Sequence, residues 1–159
     1  EQSSSVAEEA GIRVSHLRSG IVISPLGGAL AKLLLPTKMG GGGPVGGGRQ
    51  IQSWISLDDE IYAIHHLMMQ DTSQGAYNLT SPNSVSQKMF AKKLGRVLRR
   101  PAFMPLPKFV LQLMFGEMGK VLITEGQDVK PTRLQESGFV FTYSDLENCL
   151  RNCLGRVKI

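Results

Sequence analysis

A chain of 159 residues, 42% apolar and 19% charged, has the length of one ordinary domain and enough apolar side chains for a core. Its longest apolar stretch, residues 103–115, is interrupted by Pro105, Pro107 and Lys108, which excludes a membrane span. The net charge is +5, unevenly spread, and the two cysteines are too few for a disulfide scaffold, so a reducing compartment is expected.

The chain opens on Glu1 without a basic-then-apolar leader, so no secretory signal is expected and a fragment of a longer protein is. Residues 11–24 are rich in β-branched side chains and stop at Pro25-Leu26-Gly27-Gly28, which predicts a buried strand. Residues 29–35 read as a short helix stopped by Pro36. Then comes the densest feature of the chain. Seven of the nine residues 40–48 are glycine, followed by a predicted strand over residues 50–57. Glycine serves where backbone bends with positive φ or comes close to a ligand. Gly41-Gly42-Gly43-Pro44-Val45-Gly46 satisfies G-x-G-x-x-G, yet it opens no helix, and Gly48 is followed by Arg49-Gln50 rather than Lys-Ser/Thr. Neither a dinucleotide fingerprint nor a Walker loop is expected. The polar and aromatic strand beside the loop predicts the rim of a small-molecule site instead.

Asp58-Asp59 then predicts the N-cap of a helix to about residue 70, with Ile61, Ile64, His65, Met68 and Met69 on its inner side. Gly75 breaks the chain before a short strand, and Ser86 caps a predicted helix to about residue 98. This β-α-β-α alternation is the rhythm of a parallel α/β sheet. Arg100-Pro101 and Pro105-Leu106-Pro107 form a stiff connector, so a boundary is expected near Arg100, between parts 1–100 and 101–159. Beyond it a helix is predicted from about residue 108, and a short one from Lys130-Pro131-Thr132 to Gly138. A strand over residues 139–143 and a last helix capped by Ser144 follow.

Candidate chemistry is sparse. Cys149 and Cys153 share a helix face with no further ligand nearby, so two buried apolar residues are the plainer reading and no metal site is expected. Lys88, Lys92, Lys93, Arg96, Arg99 and Arg100 make a basic stripe, which could serve an anionic partner but reads more plainly as the solvated face of an amphipathic helix. No aromatics interleave it, so nucleic-acid binding is not expected. His65 and His66 are neighbours on a helix and point in different directions.

Several segments, taken together, resemble a known family. They are Leu17-Arg18-Ser19-Gly20-Ile21-Val22-Ile23, Gly27-Gly28-Ala29-Leu30, the glycine-rich loop, Ser53-Trp54-Ile55-Ser56-Leu57-Asp58-Asp59, Gly75-Ala76-Tyr77-Asn78-Leu79-Thr80, Arg100-Pro101 and Glu125-Gly126-Gln127. In this order they resemble the C-terminal half of the atypical extended short-chain dehydrogenase/reductases, the epimerase-like proteins with a small uncharacterised C-terminal domain. The resemblance implies an α/β fold: the C-terminal part of a Rossmann-type parallel sheet domain (1–100) plus a small, mostly helical C-terminal domain (101–159). It implies NADP or NAD for the full-length family and no tight dinucleotide binding by this chain, whose nucleotide fingerprint is absent. Tyr62, Tyr77 and Tyr143 lack a lysine four residues on, so no Tyr-x-x-x-Lys pair is present and no catalytic residue is assigned. The resemblance implies cofactor contacts at Gly20, Ile21 and Val22, and substrate contacts at Gly46, Gln50, Ser53 and Trp54. Ser56 stands where relatives commonly carry His, and Asp59 reads as a cap. The expected role is the substrate-side half of an epimerase- or reductase-like protein, inactive alone. A non-catalytic binding or regulatory module, for example linked to division, is the alternative. Cytoplasm is the expected location, with an organelle stroma or matrix as the alternative.

Overall fold

The computed structural model describes residues 4–44, 47–102 and 126–156. After a short helix α1 (Ser5–Glu9), the extended segment forms two strands, β1 (Ser15–Ser19) and β2 (Ile21–Ile23), parted at Gly20. At Gly20 the segment changes partners. Its N–H donates to the Leu79 carbonyl at 3.0 Å, while the Ile21 N–H donates to the Ser53 carbonyl at 2.8 Å. Backbone groups of successive strand residues point to opposite edges. One edge therefore meets β5 (Gly75–Leu79) and the other meets β4 (Trp54–Ser56). Both pairings are parallel, with Ser15 opposite Gly75 and Ile21 opposite Trp54. Parallel strands need crossover connections, and α2 (Gly28–Lys38) and α3 (Leu57–Met69) supply them. A short antiparallel pair joins β3 (Ile51–Gln52) to β6 (Val85–Ser86), which leads into α4 (Gln87–Leu98). Two further helices are α5 (Thr132–Glu136) and α6 (Leu146–Cys153).

The core lies on both faces of the sheet because neighbouring strand residues point opposite ways. Trp54 is fully buried with Ile23, Leu30, Phe90, Leu94 and Leu150, so α2, α4 and α6 cover one face. Ile55 is fully buried with Ala63, Leu67, Leu79 and Leu134, so α3 and α5 cover the other. This is the expected α/β class, in three layers.

Several local expectations are corrected. Ser56, rather than Asp58 or Asp59, caps α3: its hydroxyl oxygen accepts the Asp59 N–H at 2.9 Å. Asp59 is fully buried, and its carboxylate accepts the N–H groups of Thr142 at 2.8 Å and Tyr143 at 2.9 Å and the Ser56 hydroxyl at 2.8 Å. Those N–H groups are thereby lost to a ladder, and residues 139–143 form no strand. The inner side of α3 is Asp59, Glu60, Ala63 and Leu67. Ile61, His65, Met68 and Met69, expected there, are exposed, and Ile64 is half-buried. Pro36 sits inside α2, two residues before its end, where only the last turn has to tolerate its missing N–H. Asp145 rather than Ser144 caps α6, accepting the Asn148 N–H at 3.0 Å. Ser86 caps α4 as its sequence position predicts. The helix expected from residue 108 lies outside the described residues.

Candidate functional site

Where β5 and β4 part on either side of Gly20, a cavity of about 680 Å³ opens. It lies at the carboxyl ends of the parallel strands β1 and β5, the place where open α/β sheets receive ligands. Arg18 and Ser19 end β1, Gly20 and Ile21 form the floor, Gln52 and Ser53 precede β4, and Asn78 and Thr80 close β5. The floor requires glycine at position 20. A Cβ there would stand 2.7 Å from the Ser53 carbonyl oxygen and 2.9 Å from the Thr80 methyl.

Gln127 and Val129 form the remaining wall, and side chains of the sheet hold it in place. The Ser53 hydroxyl donates to the Gln127 carbonyl at 2.7 Å and accepts the Val129 N–H at 2.9 Å. Thr80 donates to the Val129 carbonyl at 3.2 Å and the Asn78 amide to the Lys130 carbonyl at 3.1 Å. Ser84 donates to Asp128, and this bond with the nearby Lys130 ammonium holds that carboxyl below its ordinary range.

Behind the floor, the Ser19 hydroxyl donates to Glu60 Oε1 at 2.5 Å. Glu60 is buried, and burial raises its carboxyl above the ordinary value against the opposing pull of that hydrogen bond. Its Oε2 is also buried and has no hydrogen-bond partner among the described residues.

Of the residues expected at a site, Gly20, Ile21 and Ser53 line this cavity. Val22 instead packs on the core shared with α3. Trp54 is wholly in the opposite core, its indole N–H donating to the Asn83 carbonyl at 2.8 Å. Ser53 and Trp54 are consecutive, so strand alternation sends one to the cavity and the other to the core. Gln50 lies outside the lining, its carbonyl accepting the Gln87 N–H at 2.9 Å, and Gln52 takes the lining position. Gly46 lies outside the described residues. Arg18, Ser19, Asn78, Thr80 and Gln127 were not singled out as contacts, although each stands inside a segment that carried the family resemblance.

Several of the other candidates make structural contacts. Lys93 pairs with Asp145 at 2.6 Å and Arg96 with Glu147 at 2.9 Å, so two cations of the basic stripe face acids of α6. The Arg151 and Arg96 hydrogen bonds outweigh burial and lower the Glu147 carboxyl. At Asp145 burial acts upward, and the Lys93 ammonium and the Asn148 N–H outweigh it. Burial pushes the Cys149 and Cys153 thiols up, away from reactive thiolate. His66 contacts Ser137 Oγ at 3.0 Å and stacks edge-on to Phe139. Among the described residues no group of three His, Cys, Asp or Glu is placed to hold a metal, and no helix is long and apolar enough to cross a membrane.

The N–H groups of Gly20 and Ile21 are both used within the sheet, and no described glycine-rich turn carries the dinucleotide fingerprint into a helix.

Parallel strands, helices on both faces and a crevice at the strand ends define a Rossmann-type α/β protein. Residues 106–153 match a domain of unknown function, DUF1731. The chain is 40% identical over 151 residues to the epimerase family protein YfhF of Bacillus subtilis, covering 95% of itself and 49% of that protein. It is 39% identical over 140 residues to the chloroplastic epimerase family protein SDR39U1 homolog of Arabidopsis thaliana, covering 88% of itself and 40% of that protein. The crystal structure of human epimerase family protein SDR39U1 (isoform 2) with NADPH superposes with a TM-score of 0.83 at 34% identity, over 92% of this chain and 50% of that one. The chain thus spans about half the length of the relatives it matches. It resembles the C-terminal half of the atypical extended short-chain dehydrogenase/reductase family, epimerase-like and NAD(P)-binding at full length.

Proposed function

We propose that this chain is the substrate-side half of an NAD(P)-linked epimerase- or reductase-like protein, with residues 1–100 giving the sheet part and 101–159 the appended part. The observation that carries the reading is the crevice at Gly20, lined by hydroxyl, amide and guanidinium groups at the carboxyl ends of β1 and β5. Such side chains suit a hydroxyl-rich small molecule, held by hydrogen bonds and oriented by the fixed floor. NADP or NAD supplies hydride-transfer chemistry when bound, and a half outside this sequence holds it. Ser53, with Gln52 beside it, holds the substrate, and Gly20 and Ile21 lie toward the cofactor, as the family resemblance implies. Hydride transfer needs a held cofactor and a positioned proton donor, and the chain alone is expected to turn nothing over.

The test is NMR of the labelled chain with NADPH and, separately, with a panel of hydroxyl-rich small molecules. Weak binding by members of the panel is expected to shift the amides of Ser53, Asn78, Thr80 and Val129, with no steady consumption of NADPH. Shifts confined to other surfaces, or turnover by the chain alone, would reject the reading.

A further inference from the structure

A second cavity, of about 190 Å³, lies at the carboxyl ends of β2 and β4. Among the described residues it shares no lining residue with the crevice at Gly20, so the substrate-side reading does not use it. Most of its walls are apolar. Ile23 ends β2, Leu26 belongs to the turn before α2, Leu57 opens α3, and Cys149 and Cys153 come from α6. The Ser24 hydroxyl accepts the Leu26 N–H at 3.3 Å within that turn. Leu26 and Leu57 are 92% and 39% exposed, which leaves apolar surface at the rim for a ligand to cover. An apolar cavity of about 150 Å³ accepts benzene. The cavity at β2 and β4 therefore has room for one aromatic ring or a short alkyl chain.

The chain carries a net charge of +5, yet among the described residues no Lys, Arg or His lines this cavity. Its charged group is Asp58. The Asn152 amide donates to that carboxylate at 3.5 Å, the outer limit of a hydrogen bond, and among the described residues no cation pairs with it. Asp59 is fully buried behind Ser56, whose hydroxyl donates to it at 2.8 Å. Burial first, and then negative charge that includes Asp58 and Asp59, pushes the Tyr143 hydroxyl and the Cys149 thiol up. The N-terminus of α3 contributes only about half a positive charge, which two carboxylates outweigh. The C-terminal end of α6, which brings Asn152 and Cys153 to the cavity, adds to the negative side.

We propose that this cavity binds a small organic cation, an ammonium group on a single ring or short alkyl chain. The apolar body packs among Ile23, Leu26, Leu57 and Cys153, and the ammonium group lies between Asp58 and Tyr143. A carboxylate acceptor binds a charged donor more strongly than a neutral one, and a tyrosine ring attracts a cation as well. A neutral molecule of the same shape fills the walls without gaining from the charge. An anionic one meets Asp58 as a like charge.

The experiment titrates the labelled chain at neutral pH with benzylamine, which is protonated there, and separately with benzyl alcohol and benzoate, followed by NMR. Benzylamine is expected to shift the amides of Leu26, Asp58, Tyr143 and Asn152 to saturation, leaving those of Thr80 and Val129 at the crevice unmoved. It is expected to bind about fivefold or more tightly than benzyl alcohol, and benzoate to bind weakest. Added salt is expected to weaken benzylamine and leave benzyl alcohol unchanged. Asp58→Asn, at an exposed side chain, is expected to remove the preference for the amine while leaving benzyl alcohol binding and the circular dichroism of the chain unchanged. Equal affinity for all three molecules, a preference that survives Asp58→Asn, or shifts without saturation at these four amides would each overturn the inference. Shifts confined to the crevice would overturn it too, by assigning the amine to the other site.

Discussion

Glu60 shows what one side chain contributes when it is buried with one of its two oxygens unpartnered among the described residues. Burial raises its carboxyl above the ordinary value of 4.5, so the folded chain holds that proton more tightly than the unfolded one. Stability then falls as pH rises from about that value through the raised one, because in this window the folded state binds more protons. Glu60→Gln keeps an acceptor for Ser19 and removes the charge. The variant is expected to be more stable than the parent at neutral pH, with the difference vanishing in acid. Urea midpoints followed from acid to neutrality decide it, and a variant no more stable at neutral pH would contradict the account. Asp145 and Glu147 work in the opposite sense: their lowered carboxyls add stability that is lost as pH falls.

Between elements, the controlling contact is made by Asp59, which joins the first turn of α3 to the chain at residues 142–143. Removing it leaves two backbone N–H groups without their acceptor. Because hydrogen bonds to a charged group are the stronger kind, Asp59→Ala is expected to cost about 3 kcal/mol or more. Urea denaturation measures the loss, and a cost below about 1 kcal/mol would show that water replaces the carboxylate. The same level explains the basic stripe. Lys93 and Arg96 are read from α4 as free surface cations, but α6 brings Asp145 and Glu147 against them. Periodicity located the helix and its charged face; the pairing depended on residues more than fifty positions away.

For the molecule as a whole, one hydroxyl ties the segment after the glycine-rich region to residues 127–129 at two points. Ser53 both donates to Gln127 and accepts from Val129, and so fixes the wall of the crevice to the sheet. Ser53→Ala is expected to cost about 1–3 kcal/mol. Faster amide exchange at Val129, with exchange in β5 unchanged, would show that the wall loosens before the sheet does. Equal acceleration throughout would show a global effect and count against a separable wall.

The sequence by itself determined the α/β class, a strand over residues 76–79 that the structure begins at Gly75, the helix capped by Ser86 and the order of landmarks shared with the epimerase-like family. Each is a local matter, since alternation, helical periodicity and capping act over a few residues. The tertiary structure decided which face of α3 is buried, why Asp59 is a clamp and not a cap, and which of Ser53 and Trp54 meets the crevice. Periodicity marks an apolar stripe on α3 without saying what it will be packed against, and the buried face is the one that carries Asp59, the acceptor of the Thr142 and Tyr143 N–H groups. An acidic residue in a first helical turn reads alike whether it accepts a neighbouring N–H or one eighty residues distant. Only contacts between distant segments distinguish the two, because burial and partner choice are properties of the folded chain and not of its local pattern.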